Sequence, residues 1–227
     1  MALIETPRTE RALLCHCELI EGMTLGQLAM MLGLSIPKHS AQRKGFSGKM
    51  IELALGTTAG NASSPDFCAL GIELKTVPIN HLGKPAESTF VTTISLLTIH
   101  QETWKTSYCF SKLRRVLWVP IEGDPTIPFA ERRIGRPVLW SPSSEEEEIL
   151  SSDWSELVCM ISTGRLSEID ARMGDYLQVR PKAADARSLC YGVGESGDKE
   201  LTLPRGFYLR TCFTEKIVGY AALRSCL

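Results

Sequence analysis

Pro65-Asp66-Phe67-Cys68-Ala69-Leu70-Gly71-Ile72-Glu73-Leu74-Lys75-Thr76 is the stretch on which the reading of this chain turns. Over residues 71–76 the pattern alternates with the two-residue period of a half-buried strand. Ile72 and Leu74 fall on one face, Glu73 and Lys75 on the other, so an acid and a base reach into the same space. Asp66 precedes a glycine-containing connection that is expected to turn the chain and bring a second carboxylate beside them. Phosphodiester hydrolysis has a use for such a group. Two carboxylates suit Mg²⁺, which takes oxygen ligands and keeps several of its waters. Such an ion lowers the pKa of water and screens phosphate charge. A neighbouring lysine can hold the attacking water and offset developing negative charge. The spacing alone also describes an ordinary solvated strand face.

Outward from this strand, the chain reads as a mixture of helices and strands. Leu13, Leu14 and Leu19 carry helical apolar spacing within 8–21. Thr24 can cap a helix containing Leu25, Leu28, Ala29 and Leu32, and Met50, Leu53 and Ala54 suggest another that stops at Gly56. Residues 70–79 and 90–99 are β-rich, and Val116–Ile121 predicts a strand buried on both faces. Ser143 and Ser144 introduce a helix over 145–161 that begins with four glutamates, and a further helix is expected over 167–173. The chain returns to strands at 176–179 and 206–210. The expected class is α/β, a mixed α+β arrangement.

The 227 residues are 44% hydrophobic and 22% charged, enough for a substantial core and too apolar for global disorder. No apolar run approaches a bilayer-spanning length, and the opening residues place Glu5 and Pro7 where a signal peptide needs an apolar stretch. A cytoplasmic location with no membrane partner is expected. Eight scattered cysteines without a C-x-x-C pair fit a reducing compartment, and Cys15-His16-Cys17 lacks the second ligand pair of a zinc finger. The net charge of −1 announces no global affinity for nucleic acid. Bases do gather locally, however: Lys105, Lys112, Arg114 and Arg115, then Arg180, Lys182, Arg187, Arg205 and Arg210.

The spacing Asp66…Glu73-Leu74-Lys75 resembles the Asp…Glu-x-Lys pattern of restriction-endonuclease-like nucleases, and the surrounding residues resemble the MutH mismatch-repair endonucleases within that group. The likeness runs in order through Lys44-Gly45, residues 52–56, Ala59-Gly60, Asp66-Phe67 and residues 70–76. It continues through residues 87–91, 104–107, 112–118, 134–137, 139–142 and 153–157, and ends with 180–184 and 201–209. Tyr108-Cys109-Phe110-Ser111 departs from the more basic, histidine-containing residues of the family, and the chain after Phe213 matches poorly.

The resemblance implies a restriction-endonuclease-like core with a central mixed sheet and two lobes flanking a DNA-binding cleft. It also implies one endonuclease domain over 1–227, with a catalytic lobe at about 1–105 and a DNA-recognition lobe at about 106–227. Asp66, Glu73 and Lys75 match the family's catalytic set, and Glu52 matches a further acid on the preceding helix. Mg²⁺, for which Mn²⁺ may substitute, is then held by Asp66, Glu73 and the carbonyl of Leu74. Lys44 and Lys112 match residues that hold DNA phosphates, Arg180 and Lys182 lie on the groove-reading segment, and Phe90 and Tyr208 match aromatics associated with adenine methylation. The implied reaction is nicking of the unmethylated strand at hemimethylated GATC in double-stranded DNA, activated by MutL and indirectly by MutS.

Two other readings share parts of this pattern. A restriction endonuclease for GATC would use the same catalytic residues but cut both strands without partners. A non-catalytic DNA-binding regulator could use Thr24–Leu34 as the start of a helix-turn-helix, but Pro37 and Gly45 interrupt the place of a recognition helix.

Overall fold

The computed structural model describes residues 4–43, 45–57, 64–183 and 187–222. In chain order its helices are α1 (Glu10–Ile20), α2 (Leu25–Met31), α3 (Ser40–Arg43), α4 (Phe46–Ala54), α5 (Tyr108–Leu113), α6 (Ser144–Ser162) and α7 (Thr211–Ala222). Its strands are β1 (Glu73–Ile79), β2 (Thr89–Thr93), β3 (Val116–Glu122), β4 (Val138–Trp140), β5 (Leu177–Pro181), β6 (Cys190–Val193), β7 (Lys199–Thr202) and β8 (Arg205–Leu209). The mixed α/β class expected from the sequence is the one observed. No described helix is long and apolar enough to cross a membrane.

Two compact units divide the chain, and they interleave. The first comprises Met1–Glu87, Arg115–Trp140 and Glu215–Leu227; the second comprises Ser88–Arg114 and Ser141–Thr214. The expected break at 105/106 falls inside the second unit.

In the first unit β1 pairs in parallel with β3, and β3 pairs antiparallel with β4, giving a mixed three-stranded sheet. Val116–Ile121 of β3 are buried without interruption, as expected for the central strand. Pro78, which has no N–H to donate, lies in β1 at the sheet edge. Leu13, Cys17 and Ile20 of α1 pack with Leu25 and Leu28 of α2, Met50 and Ile51 of α4, and Ile72, Leu74 and Leu117 from the sheet region. Complete burial of a leucine such as Leu13 is worth roughly 1.5–3 kcal/mol.

The buried face of α1 corrects the sequence expectation. Leu14 and Leu19 are 38% and 72% exposed, whereas Leu13, Cys17 and Ile20 face inward. At about 100° per residue those three share one stripe, and Leu14 and Leu19 fall on either side of it. The Cys17 thiol is accordingly pushed up to about 12, first by burial and then by Glu18 and Glu21. In the Cys15-His16-Cys17 cluster, one sulfur is therefore a protonated core group and the other is exposed.

In the second unit β8 lies between β2 and β5, antiparallel to both, and β6 and β7 form a separate hairpin. Val91, Leu177, Val179, Phe207 and Leu209 are buried on the packed face, and Gln178, between Leu177 and Val179, is buried as well. The helix expected at 145–161 is α6, opened by a capping box in which Ser143 and Glu146 serve each other's backbone N–H. The helix expected at 167–173 does not form beyond a short 3-10 turn at Leu166–Glu168.

Backbone groups at the end of that segment and just beyond it are claimed by other partners. The Asp153 carboxylate accepts from the N–H groups of Asp175, Tyr176 and Leu177 at 2.9, 2.7 and 2.8 Å. Arg210 Nη1 donates to the carbonyls of Ala171, Arg172 and Gly174. Gly174 turns through φ 76°, and a Cβ there would meet the Leu177 carbonyl oxygen at 2.0 Å. The β-rich run at 90–99 likewise shortens to β2, because Ser95 accepts from Thr98 and Ile99 and turns the backbone into a 3-10 helix.

Candidate active site

The turn between Asp66 and β1 is built as the sequence requires. Phe67 and Ile72 exchange backbone hydrogen bonds at 2.9 and 3.3 Å, and Gly71 supplies a φ of 65° that an L side chain rarely adopts. The turn folds Asp66 back onto the strand, where its Oδ2 accepts from the Leu74 N–H at 2.8 Å. Asp66 is thus anchored at the residue between Glu73 and Lys75. Lys75 Nζ donates to Glu73 Oε1 at 2.8 Å, and the two side chains are only 15% and 5% exposed. Partial burial strengthens that attraction relative to a surface pair.

Glu52 comes to the same place from α4. Its carboxyl is held above the ordinary glutamate range, chiefly by burial and then by the negative charges of Asp66 and Glu73. Lys49 and Lys75 act in the opposite direction and do not cancel the rise. The four residues expected to be catalytic, Glu52, Asp66, Glu73 and Lys75, therefore occupy one electrostatic neighbourhood. The side chain of Leu74 packs into the core at 7% exposure.

Thr57 is a member of this site that the sequence did not disclose. It is 3% exposed; its N–H donates to the Glu52 carbonyl at 2.9 Å and its hydroxyl donates to the Asp66 carbonyl at 2.7 Å. One threonine thereby ties the end of α4 to the start of the Asp66 turn. Nothing in a single Thr after a glycine signals this, since both bonds depend on chain segments meeting in space.

The donor set suits a hard divalent cation. Burial, with the charges of Asp66 and Glu73 added to it, raises the Glu52 pKa, and carboxylate oxygen is the ligand Mg²⁺ prefers. Among the described residues no group of three or more His, Cys, Asp or Glu side chains is arranged to hold a metal ion, so the fit rests on the chemistry of the carboxylates and not on a formed cage.

The second unit gathers the other expected residues. Phe90 of β2 is paired across the strands with Tyr208 of β8, their rings edge to face with centroids 5.3 Å apart. The Arg180 guanidinium carbon lies 5.9 Å from the centre of the Tyr208 ring, and Lys182 Nζ lies 3.9 Å from that of Phe90. Arg180 Nη1 also donates to Ser88 Oγ at 2.6 Å. Phe90 covers Gly206, where a Cβ would come within 2.9 Å of its ring. Phe90, Arg180, Lys182 and Tyr208 thus form one aromatic and cationic face of the β2-β8-β5 sheet.

The remaining bases divide. Lys44 lies outside the described residues. Lys112, on α5, is only 8% exposed, so most of its stem is packed and it differs from a free surface lysine. Several bases that the sequence groups together have internal partners. Arg115 pairs with Glu10 at 2.7 Å, Lys105 pairs with Glu147, and Arg210 fastens the loop before β5.

Comparison with known proteins adds an independent line. Residues 55–153 match the family described as DNA mismatch repair enzyme MutH. The DNA mismatch repair protein MutH of Escherichia coli K12 is 47% identical over 217 residues, covering 96% of this chain and 95% of that protein. The proteins of the same name from Escherichia coli O9:H4 strain HS and O127:H6 strain E2348/69 give the same identity and coverage. With near-complete coverage at this identity, the chain belongs to the MutH family of DNA mismatch repair proteins.

Proposed function

We propose that this protein is the strand-nicking endonuclease of methyl-directed mismatch repair, a phosphodiester hydrolase that cuts the unmethylated strand of hemimethylated GATC sites in double-stranded DNA. The observation that carries the proposal is the anchoring of Asp66 at Leu74, which fixes one carboxylate between Glu73 and Lys75. That arrangement fits phosphodiester cleavage far better than a binding-only module, which has no use for buried acids beside a lysine.

Asp66, Glu73 and the Leu74 carbonyl would hold Mg²⁺, with Mn²⁺ as a possible substitute. When bound, the cation would supply a water of lowered pKa and offset the charge of the phosphate. Lys75, which holds Glu73 in the free protein, would orient water and stabilise negative charge developing on the phosphate. Glu52, with its raised pKa, would sit at the edge of this set and accept a proton more readily than an ordinary glutamate.

Lys44 and Lys112 would contribute phosphate contacts, which carry affinity but no sequence information. Arg180 and Lys182 would read base edges, and Phe90 with Tyr208 would sense the adenine and its N6 methyl. MutL, loaded by mismatch-bound MutS, would activate the nick. The test is nicking of unmethylated, hemimethylated and fully methylated GATC duplexes with Mg²⁺, with Mn²⁺ and with EDTA. Cutting of the unmethylated strand of the hemimethylated duplex and of either strand of the unmethylated one, and none with EDTA, is expected; EDTA-resistant cutting, or efficient double-strand breaks in the hemimethylated duplex, would overturn the reading.

A further inference from the structure

Arg180 is the member of the reading face whose value depends on orientation as well as charge. A guanidinium recognises guanine when two of its N–H groups point together at O6 and N7, and a rotation that spoils one bond spoils the pair. A long, exposed arginine has many rotamers, so something must restrict it if the contact is to be selective. Two groups do so here. The Tyr208 ring, its centre 5.9 Å from the guanidinium carbon, borders the head group on one side. The Ser88 hydroxyl, 2.6 Å from Nη1, fixes its rotation.

Ser88 immediately precedes β2, and β2 pairs with β8, so its position relative to Tyr208 is set by the strand ladder. Among the described residues no other protein group holds an N–H of Arg180. Its Nε–H and one Nη2–H lie along the edge that leaves Nη1 out, and they keep two parallel donors available.

We propose that Ser88 is a positioning residue for base recognition: by engaging Nη1 of Arg180 it presents the Nε–Nη2 edge to the base. The inference rests on the reading of Arg180 as a base contact. It adds to that reading both the residue that orients the side chain and the pair of donors that meets the DNA. A serine here acts through geometry, since its hydroxyl adds no charge to attract phosphate.

The test uses the full-length protein in EDTA, so that binding is measured by fluorescence anisotropy without cleavage. Three duplexes are compared: hemimethylated GATC, the same duplex with its first G·C pair replaced by A·T, and an unrelated sequence. Arg180→Ala is expected to narrow the preference for GATC over the altered site by between about fivefold and about a hundredfold. Ser88→Ala should narrow it by roughly three- to tenfold. It should leave affinity for the unrelated duplex within about twofold of the parent protein. Ser88→Thr, which keeps the hydroxyl, should keep the preference. In an Arg180→Ala background, Ser88→Ala should remove nothing further, because the two losses are one loss.

If Arg180→Ala leaves the preference intact, the base-contact reading itself falls. If Arg180→Ala narrows it while Ser88→Ala does not, or if the two losses add, the positioning role is overturned. An equal drop on all three duplexes, with no recovery in Ser88→Thr, would also overturn it by marking Ser88 as structural.

Discussion

In the first unit, burial and then the negative charges of Asp66 and Glu73 hold the Glu52 carboxyl above its ordinary range. On the Phe90–Tyr208 face of the second unit, by contrast, the cations are matched by protein groups, Arg180 by a hydroxyl and a ring and Lys182 by a ring. The acidic site carries a conflict that an added cation would relieve, whereas the aromatic and cationic face, proposed to read DNA, is already assembled. The proposed chemistry and the proposed recognition should therefore be separable, one perturbed through charge and the other through shape.

The strongest break in that comparison is expected from Asp66→Ala or Glu73→Ala. Either should reduce Mg²⁺-dependent nicking by about a hundredfold or more while specific binding persists. Binding without a divalent cation should tighten, because each acid repels phosphate. A plasmid-nicking assay beside an anisotropy titration checks both, and full nicking by either variant would remove that residue from the catalytic set.

Next in size is Tyr208→Ser, which should let the enzyme act on fully methylated GATC while its fold is retained. If Tyr208 only packs against Phe90 and Arg180, all three methylation states will lose activity together and the melting temperature will fall. Melting curves recorded beside the three nicking rates separate the outcomes.

A smaller and sequence-independent effect is expected from Lys44→Ala: weaker binding to every duplex and a salt-dependence slope reduced by about one. Lys112→Ala should add a loss of thermal stability, since that side chain is largely buried. A slope unchanged in both variants would place neither lysine on phosphate.

The smallest effect sharpens the electrostatic side of the comparison. Glu52 has a raised pKa in the folded chain, so its stabilising contribution is complete below the unfolded pKa and is lost as pH rises through the folded one. In EDTA, Glu52→Gln should match the parent protein at acid pH and melt slightly higher toward neutrality, with the gap shrinking when Mg²⁺ is added. A pH-independent gap in Tm would contradict the charge argument.

The strand face of Glu73 and Lys75 was legible from a two-residue period, and the turn returning Asp66 to it from a single glycine, because both are local. The phase of α1 was not, since Leu14 and Leu19 are as apolar as Leu13 and only packing distinguishes them. The short β6-β7 hairpin was missed because Leu189, Tyr191 and Leu201 are exposed and give no inward-facing pattern to read. Ser88 and Thr57 acquire their partners from residues 92 and 9 positions away, and no local pattern encodes such a meeting. Four of the five residues on the reading face were named from family likeness, yet their assembly into one contact set appeared only with the fold.

The clasp of residues 171–177 by Asp153 and Arg210 carries a consequence for how this protein can vary. Three N–H groups enter one carboxylate and three carbonyls meet one guanidinium nitrogen, so the count of residues from 171 to 177 is held from both ends. Arg180 follows the clasped Leu177 by three residues, and in a strand each single-residue slip sends a side chain to the opposite face. A one-residue deletion at 171–175 that shifted β5 would therefore turn Arg180 to the packed face and expose apolar neighbours, whereas a substitution at Arg180 or Lys182 changes one side chain in place. In this segment spelling is free to change and length is not, so if Arg180 and Lys182 read bases as proposed, new sequence preferences should be sought by substitution and never by insertion or deletion.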